Sequence, residues 1–327
     1  MGHALDTLEA ATLAGWTPVH VRLGGAAPAV DWALIEGPFS EPFFEQTAQR
    51  AMQHPFNQVF GRTTPLSALE ALRRSAQGLA PAGFIFHMSR CGSTLISQML
   101  AQLPATIVLS EAQPLDALLS LRRRAPGLDE ETLVSLLRDM ISALGRPRAG
   151  EERLFVKFRA WHILELPLIL RAFPGVPWAF VFREPRAVLR SQESNPGTEV
   201  IAGTIDPAYL DLDAALAYQL APGVYSARVI AALCDAALRA AAFPCASFID
   251  YDTLPEGALA LATFFGIRPA AGDVERMRAV ARNDAKEPGR LYAARASGEQ
   301  ASPQIERCAA EWLDERYAAL KRAAAAR

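Results

Sequence analysis

The chain has no excess of basic residues. Across 327 residues, 33 Lys plus Arg stand against 35 Asp plus Glu, a formal net charge of −2. That balance gives no electrostatic footprint for a nucleic-acid backbone. Cysteine is scarce: Cys91, Cys234, Cys245 and Cys308 are widely spaced, with no pair at metal-ligand spacing. The pattern fits reduced thiols in a reducing compartment. The opening residues, Met-Gly-His-Ala-Leu-Asp, lack the basic start and apolar run of a secretion signal. The most apolar stretch, Leu164 to Phe182, is broken by Glu165, Pro167, Arg171, Pro174 and Pro177, so it does not read as a bilayer span. There is no internal repeat, coiled coil or long linker. These absences lead to an expectation of a cytoplasmic globular enzyme. The hydrophobic fraction of 51% and charged fraction of 21% are ordinary for that class.

What is present is a rhythm. From Gly83 onward, short apolar runs alternate with helical periodicity. Strand candidates are Phe84–Phe86, Thr106–Leu109, Leu154–Phe158, Trp178–Phe182 and Ala246–Ile249, separated by helical patterns at 93–103, 113–123, 130–144, 160–173, 185–192 and 213–242. Strands apolar on both faces and joined by helices belong to a parallel sheet covered on both sides. The expected fold is therefore α/β, a three-layer domain over 81–327 with a central sheet of about five strands. Residues 1–80 read differently, as an α-rich extension packed on that domain. Pro18–Arg22 is a strand candidate, Ser40 caps a helix through Gln53, and Thr64-Pro65 opens another. Near the end, Asp273 is a cap for a short helix to Ala281, and Ser302-Pro303 starts a last helix.

The stretch Phe84 to Leu100 carries the first chemical signal. An apolar strand runs into a turn of small and polar residues, Ser89-Arg90-Cys91-Gly92, and then into a helix opening on Ser93 and Thr94. Strand, tight loop and helix N-terminus together gather backbone N–H groups and the helix dipole around one point, which favours an anion such as phosphate or sulfate. The usual nucleotide-triphosphate loop places a glycine first and a lysine after the last glycine. Here His87 stands at the first position, Ser93 stands where the lysine would be, and the charge comes ahead of the glycine, on Arg90.

Polar residues at strand ends carry the second signal. Glu111 follows the second strand of this series, Lys157 lies in the third, Arg183 follows the fourth and Tyr251 follows the fifth. Ligands of parallel sheets bind along the edge formed by strand C-termini. A lysine inside an apolar strand is costly to desolvate and calls for an anionic partner.

With these residues in view, the chain resembles the sulfotransferases that depend on 3′-phosphoadenosine 5′-phosphosulfate (PAPS). Ser89-Arg90-Cys91-Gly92-Ser93-Thr94 is similar to their 5′-phosphosulfate loop, with Ser89 for a proline and Cys91 for a serine. Phe182-Arg183-Glu184-Pro185-Arg186-Ala187-Val188-Leu189-Arg190-Ser191 resembles their 3′-phosphate signature, whose arginine and serine correspond to Arg183 and Ser191. An arginine offers a forked pair of donors and a serine a short hydroxyl to one phosphate. Arg186 and Arg190 match less well and read as solvated helix positions. Among the members, the similarity is to bacterial enzymes and to the tyrosylprotein sulfotransferases. It covers roughly residues 83 to 290.

The resemblance implies a P-loop-type fold and transfer of a sulfuryl group from PAPS to an acceptor hydroxyl or amine, leaving 3′-phosphoadenosine 5′-phosphate (PAP). Arg90, Glu111 and Lys157 match the catalytic positions, with Glu111 as base and Arg90 and Lys157 stabilising the leaving PAP. Cys91, Gly92, Ser93 and Thr94 would complete the loop, Tyr251 would border the adenine, and Lys286 or Arg290 would close on the 3′-phosphate. No metal is implied. Other readings stay open at this point. His87 and His162 are competing bases, Glu111 also suits a helix start before Pro114, and a P-loop kinase, a nucleotide hydrolase or a non-catalytic nucleotide-binding protein would share the fold. The acceptor, whether a small molecule or a peptide, has no readable motif, and the oligomeric state, a homodimer included, is open.

Overall fold

The computed structural model describes residues 12–24, 27–125, 127–285 and 301–326. β1 (Trp16–Arg22), β2 (Ala29–Leu34) and β3 (Arg62–Pro65) form an antiparallel sheet in that order, and α1 (Phe44–Gln53), α2 (Pro55–Phe60) and α3 (Ser67–Ser75) accompany it. The chain continues through β4 (Pro81–His87), α4 (Ser93–Leu100), β5 (Thr106–Ser110), α5 (Gln113–Arg124), α6 (Glu130–Leu144) and β6 (Arg153–Lys157). A 3-10 turn, Ala160–Glu165, runs into α7 (Leu166–Ala172), followed by β7 (Trp178–Phe182), α8 (Pro185–Ser194), α9 (Ala214–Ala217), α10 (Pro222–Ala240) and β8 (Ala246–Asp250). The last helices are α11 (Glu256–Phe264), α12 (Ala271–Val280), α13 (Pro303–Trp312) and α14 (Asp314–Ala325).

β4 to β8 form a five-stranded sheet in the order β5-β6-β4-β7-β8, flanked by helices. β5 runs parallel to β6, β4 to β7 and β7 to β8. The protein is thus α/β with a P-loop-type strand, loop and helix at β4–α4. All five residues of β7 are buried, which is why Trp178-Ala-Phe-Val-Phe182 reads as one apolar run rather than an alternation. No helix among the described residues is long and apolar enough to cross a membrane.

By its internal contacts the chain divides into two compact units. Among the described residues, one holds the chain up to Gly83, Ala101–Lys157 and Pro167–Val176; the other holds Phe84–Leu100, Phe158–Leu166 and those from Pro177 onward. In the first unit α5 packs on α6 and β1, and α3 packs on α6. Buried Asn57 accepts from the Leu34 N–H at 2.8 Å and donates to the Leu34 and Ala51 carbonyls at 2.9 Å each, tying the end of β2 to the α1–α2 junction. Gln113, on the first turn of α5, accepts from the Val21 N–H at 3.0 Å and returns a bond to the Val21 carbonyl at 3.3 Å. In the second unit α10 packs on the 160–165 turn, α8, α13 and α14, while α11 and α12 pack on α4.

Three local differences from the sequence reading have physical reasons. The segment before β4 holds helices and also a three-stranded sheet; Phe43 rather than Ser40 precedes α1, and Thr64-Pro65 closes the short strand β3 instead of opening a helix, which starts at Ser67. The long pattern at 213–242 is two helices, because Pro222 starts α10 at a position where its missing N–H costs nothing. Asp273 is the third residue of α12 rather than its cap, and its carboxylate reaches back to the Ala270 N–H at 2.9 Å.

A buried ion pair between α3 and α6 yields a stability prediction. Arg73 Nε donates to the carboxylate of Asp139, which is buried. Burial raises the Asp139 pKa, and Arg73 only partly offsets it. The folded state therefore holds the Asp139 proton more tightly than the unfolded chain, so this group's contribution to stability falls as pH rises through the carboxylate range. Arg73→Met should destabilise by about 2–3 kcal/mol near neutral pH. This is less than for a fully enclosed pair, because 34% of the Arg73 side chain is exposed. The deficit should shrink as pH is lowered through the raised pKa of Asp139. Urea unfolding of both proteins in a series of buffers from neutral pH downward checks the sign.

Candidate functional site

The loop between β4 and α4 is tightly constrained. Ser89, Arg90 and Gly92 all have left-handed backbones, with φ of 72°, 51° and 83°. For non-glycine residues this conformation costs about 1–3 kcal/mol each and persists only where the surroundings enforce it. Several contacts enforce it here. The Ser89 N–H donates to His87 Nδ1 at 3.1 Å, and His87 Nε2 lies 3.1 Å from the Phe158 carbonyl. A backbone N–H can only donate, so Nδ1 must accept and the proton of a neutral ring sits on Nε2, facing that carbonyl. Gln192 Nε2 donates to Ser89 Oγ at 3.1 Å. The Cys91 thiol is fully buried and donates to the Val181 carbonyl at 3.1 Å, so only its backbone can serve a ligand. The Arg90 guanidinium donates to the Asn195 carbonyl at the C-terminal end of α8.

Gly92 is required at its position twice over. Its φ is left-handed, and a Cβ there would lie 2.8 Å from both Tyr251 Cδ2 and Leu254 Cδ1. Its carbonyl accepts from the Ile96 N–H at 3.2 Å, which starts α4 immediately after the glycine. Ser93 and Thr94 form the first turn of that helix and are buried. A turn of this kind followed by a helix N-terminus directs N–H groups and a positive dipole end towards one point.

Arg183, the residue after β7, comes to the same place. Its Nη1 lies 3.4 Å from the Arg90 carbonyl, and its guanidinium carbon stands 4.0 Å above the Tyr251 ring. Tyr251, the residue after β8, thus lies between the loop glycine and Arg183. Ser191 and Gln192 are on α8, the helix that follows Arg183. Glu184 does not compete for Arg183: its carboxylate caps α8, accepting from the N–H groups of Arg186 at 2.9 Å and Ala187 at 2.7 Å. Arg186 points away, to Glu306 at 2.7 Å and Asp314 at 2.7 and 3.0 Å, and these carboxylates raise its pKa. Arg186 is therefore a tie to the C-terminal helices rather than a solvated helix position.

Glu111 and Lys157 belong to the first unit. Lys157 closes β6 with a side chain that is 0% exposed, and its ammonium is paired with the Glu111 carboxylate, the anionic partner that a lysine in an apolar strand requires. The ammonium also lies 4.9 Å from the centre of the Phe43 ring, a cation–π contact that nothing in the sequence announced. Glu111 follows β5 with a left-handed φ of 56°, and its N–H donates to the Lys157 carbonyl at 2.8 Å. A glutamate held in that backbone region beside a buried lysine is a strained, specifically positioned carboxylate.

His162 is buried between the rings of Phe158 and Trp161. Lys286 and Arg290 lie outside the described residues. The sequence reading missed Gln192, and the only available signal was its place next to Ser191.

No protein-family model and no curated protein matches the chain. Among solved structures it is similar to the sulfotransferase domain of the olefin synthase from Synechococcus PCC 7002, at 15% identity and a TM-score of 0.42 over 72% of this chain and 94% of that one. It is similar to a sulfotransferase from Alicyclobacillus acidocaldarius at 14% identity and 0.43, covering 75% and 96%, and to sulfotransferase STF9 from Mycobacterium avium at 15% and 0.45, covering 82% of each. Likenesses this distant assign neither family nor activity.

The loop geometry predicts the effect of one added methyl. Gly92→Ala should lower unfolding free energy by about 1–3 kcal/mol in urea titrations. Adding Tyr251→Ala should recover only the part owed to collision with the ring, because the left-handed φ remains.

Proposed function

We propose that the protein is a sulfotransferase that binds PAPS and transfers its sulfuryl group to an acceptor hydroxyl or amine, releasing PAP. The observation that carries this reading is the convergence of Arg183, the loop backbone at Arg90 and Gly92, and the Tyr251 ring. A nucleotide with phosphate groups on both its 5′ and 3′ positions needs two separate anion sites and a flat surface for its base. The loop and the α4 N-terminus suit the 5′ group, Arg183 with Ser191 suits the 3′ group, and Tyr251 offers the aromatic face.

In this reaction a bond forms between the acceptor oxygen or nitrogen and sulfur while the bond from sulfur to the 5′-phosphate oxygen breaks, and the acceptor proton goes to a base. Glu111 takes that proton in our reading. Arg90 and Lys157, with the hydroxyls of Ser93 and Thr94, offset the charge that builds on the departing phosphate. The His87 ring, with both nitrogens in backbone hydrogen bonds, serves the loop shape instead. A cytoplasmic location and a small-molecule or peptide acceptor fit the same reading.

Isothermal titration with PAP and with ATP, both in EDTA, tests the nucleotide. PAP should bind with preference over ATP. Arg183→Ala should weaken PAP about 30-fold while changing AMP binding much less. ATP binding without preference for the 3′-phosphate would overturn the reading and favour a kinase or nucleotide hydrolase. Once an acceptor is in hand, Glu111→Gln should still bind PAP and lower turnover about 10²–10⁴-fold. Unchanged turnover in that variant would remove Glu111 as the base, and PAP binding without any turnover would favour a non-catalytic nucleotide-binding protein.

A further inference from the structure

The loop needs an external brace, because two consecutive non-glycine residues, Ser89 and Arg90, hold left-handed backbones. Gln192 is the side chain on α8 that reaches it. It is 3% exposed, and its amide is bonded on both sides. Its Oε1 accepts from the Gly197 N–H at 2.7 Å, and its Nε2 donates to Glu199 at 2.8 Å and to Ser89 Oγ at 3.1 Å. A backbone N–H can only donate, so Gly197 fixes which end of the amide is oxygen, and the two N–H donors must face Glu199 and Ser89. Glu199 is itself buried, and the space beside Gly197 is filled by its carboxylate, with Oε1 2.2 Å from where a Cβ on residue 197 would lie. The amide therefore has one orientation, set by groups outside the loop. One turn further along the chain, Asn195 accepts from Arg90 through its carbonyl. The anion loop and the helix carrying Ser191 are thus joined at two points.

We infer that Gln192 is a positioning residue: it holds Ser89 and Arg90 in the conformation that aims the loop at an anion, and it couples that loop to the helix proposed to bind the 3′-phosphate. The coupling to nucleotide rests on the sulfotransferase reading; the bracing of the loop does not. A residue that acts by enforcing a left-handed backbone has a distinctive signature. Its loss should be repaired by making the left-handed conformation inexpensive, which a glycine at position 89 does.

Cys91 supplies a readout of loop opening that needs no nucleotide, since its thiol is fully buried against Val181. The experiment follows maleimide labelling of Cys91 by peptide mass spectrometry, alongside PAP titration, in wild type, Gln192→Leu, Ser89→Gly and the double variant. Gln192→Leu should speed Cys91 labelling and weaken PAP, each about tenfold. Ser89→Gly added to it should restore most of both. Wild-type labelling and affinity in Gln192→Leu would overturn the inference. So would a loss that Ser89→Gly fails to repair, because it would then come from repacking around α8. Should the leucine variant not fold, Ser89→Ala cuts the same hydrogen bond from the loop side and must speed Cys91 labelling in the same way. If wild type binds no PAP, the proposed function fails while the labelling still decides the role of Gln192.

Discussion

The constraint on which the second unit depends is the left-handed turn at Ser89, Arg90 and Gly92. A chain leaving β4 must reverse into α4 within a few residues and still expose N–H groups at the turn. Only glycine does this without cost, and this chain has glycine at only one of the three positions. The strain at the other two is offset by bonds drawn from distant parts of the chain: the His87 ring, the Gln192 amide and the carbonyls of Val181 and Asn195. An arginine before the glycine accounts for part of this. The Arg90 guanidinium is held beside the loop by its bond to the Asn195 carbonyl.

The Glu111–Lys157 pair in the first unit is built on the same logic. Burying an ammonium without a partner would cost several kcal/mol, so the lysine at the end of β6 requires the carboxylate after β5. The carboxylate is in turn held by a left-handed backbone and by its own N–H bond to the Lys157 carbonyl. Each half of the pair fixes the other. Substitution of either alone leaves a charge without its counter-ion, so any loss at this pair mixes a structural cost with a chemical one.

Much of the fold was readable because the sheet strands are apolar on both faces. Trp178–Phe182 matched its strand end to end, and the 130–144 helix matched α6. Strand-end residues were readable for the same reason: once a strand is located, the polar group after it is located too. What escaped the reading depends on partners far away in sequence. Gln192 is an unremarked polar residue on a helix until Ser89, over a hundred positions earlier, comes within 3.1 Å. Arg186 looks solvated until Glu306 and Asp314 arrive from the C-terminal helices. The Phe43 ring over Lys157 crosses a similar distance. Periodicity reports which face of an element is buried; it carries nothing about which polar atom waits there.

The histidine question shows how such partners decide chemistry. On sequence alone His87, ending a strand next to an anion loop, is a reasonable general base. A base must have a lone pair free to take a proton from substrate. In the structure the Nδ1 lone pair is occupied by the Ser89 N–H and the Nε2 proton faces the Phe158 carbonyl. Protonating the ring would set a new N–H at Nδ1 against the Ser89 N–H and break the contact that holds the left-handed residue. A cationic His87 would therefore loosen the loop it sits beside, even though its charge alone would attract an anion. Loop geometry and proton transfer make opposite demands on this ring, and its two backbone bonds favour geometry.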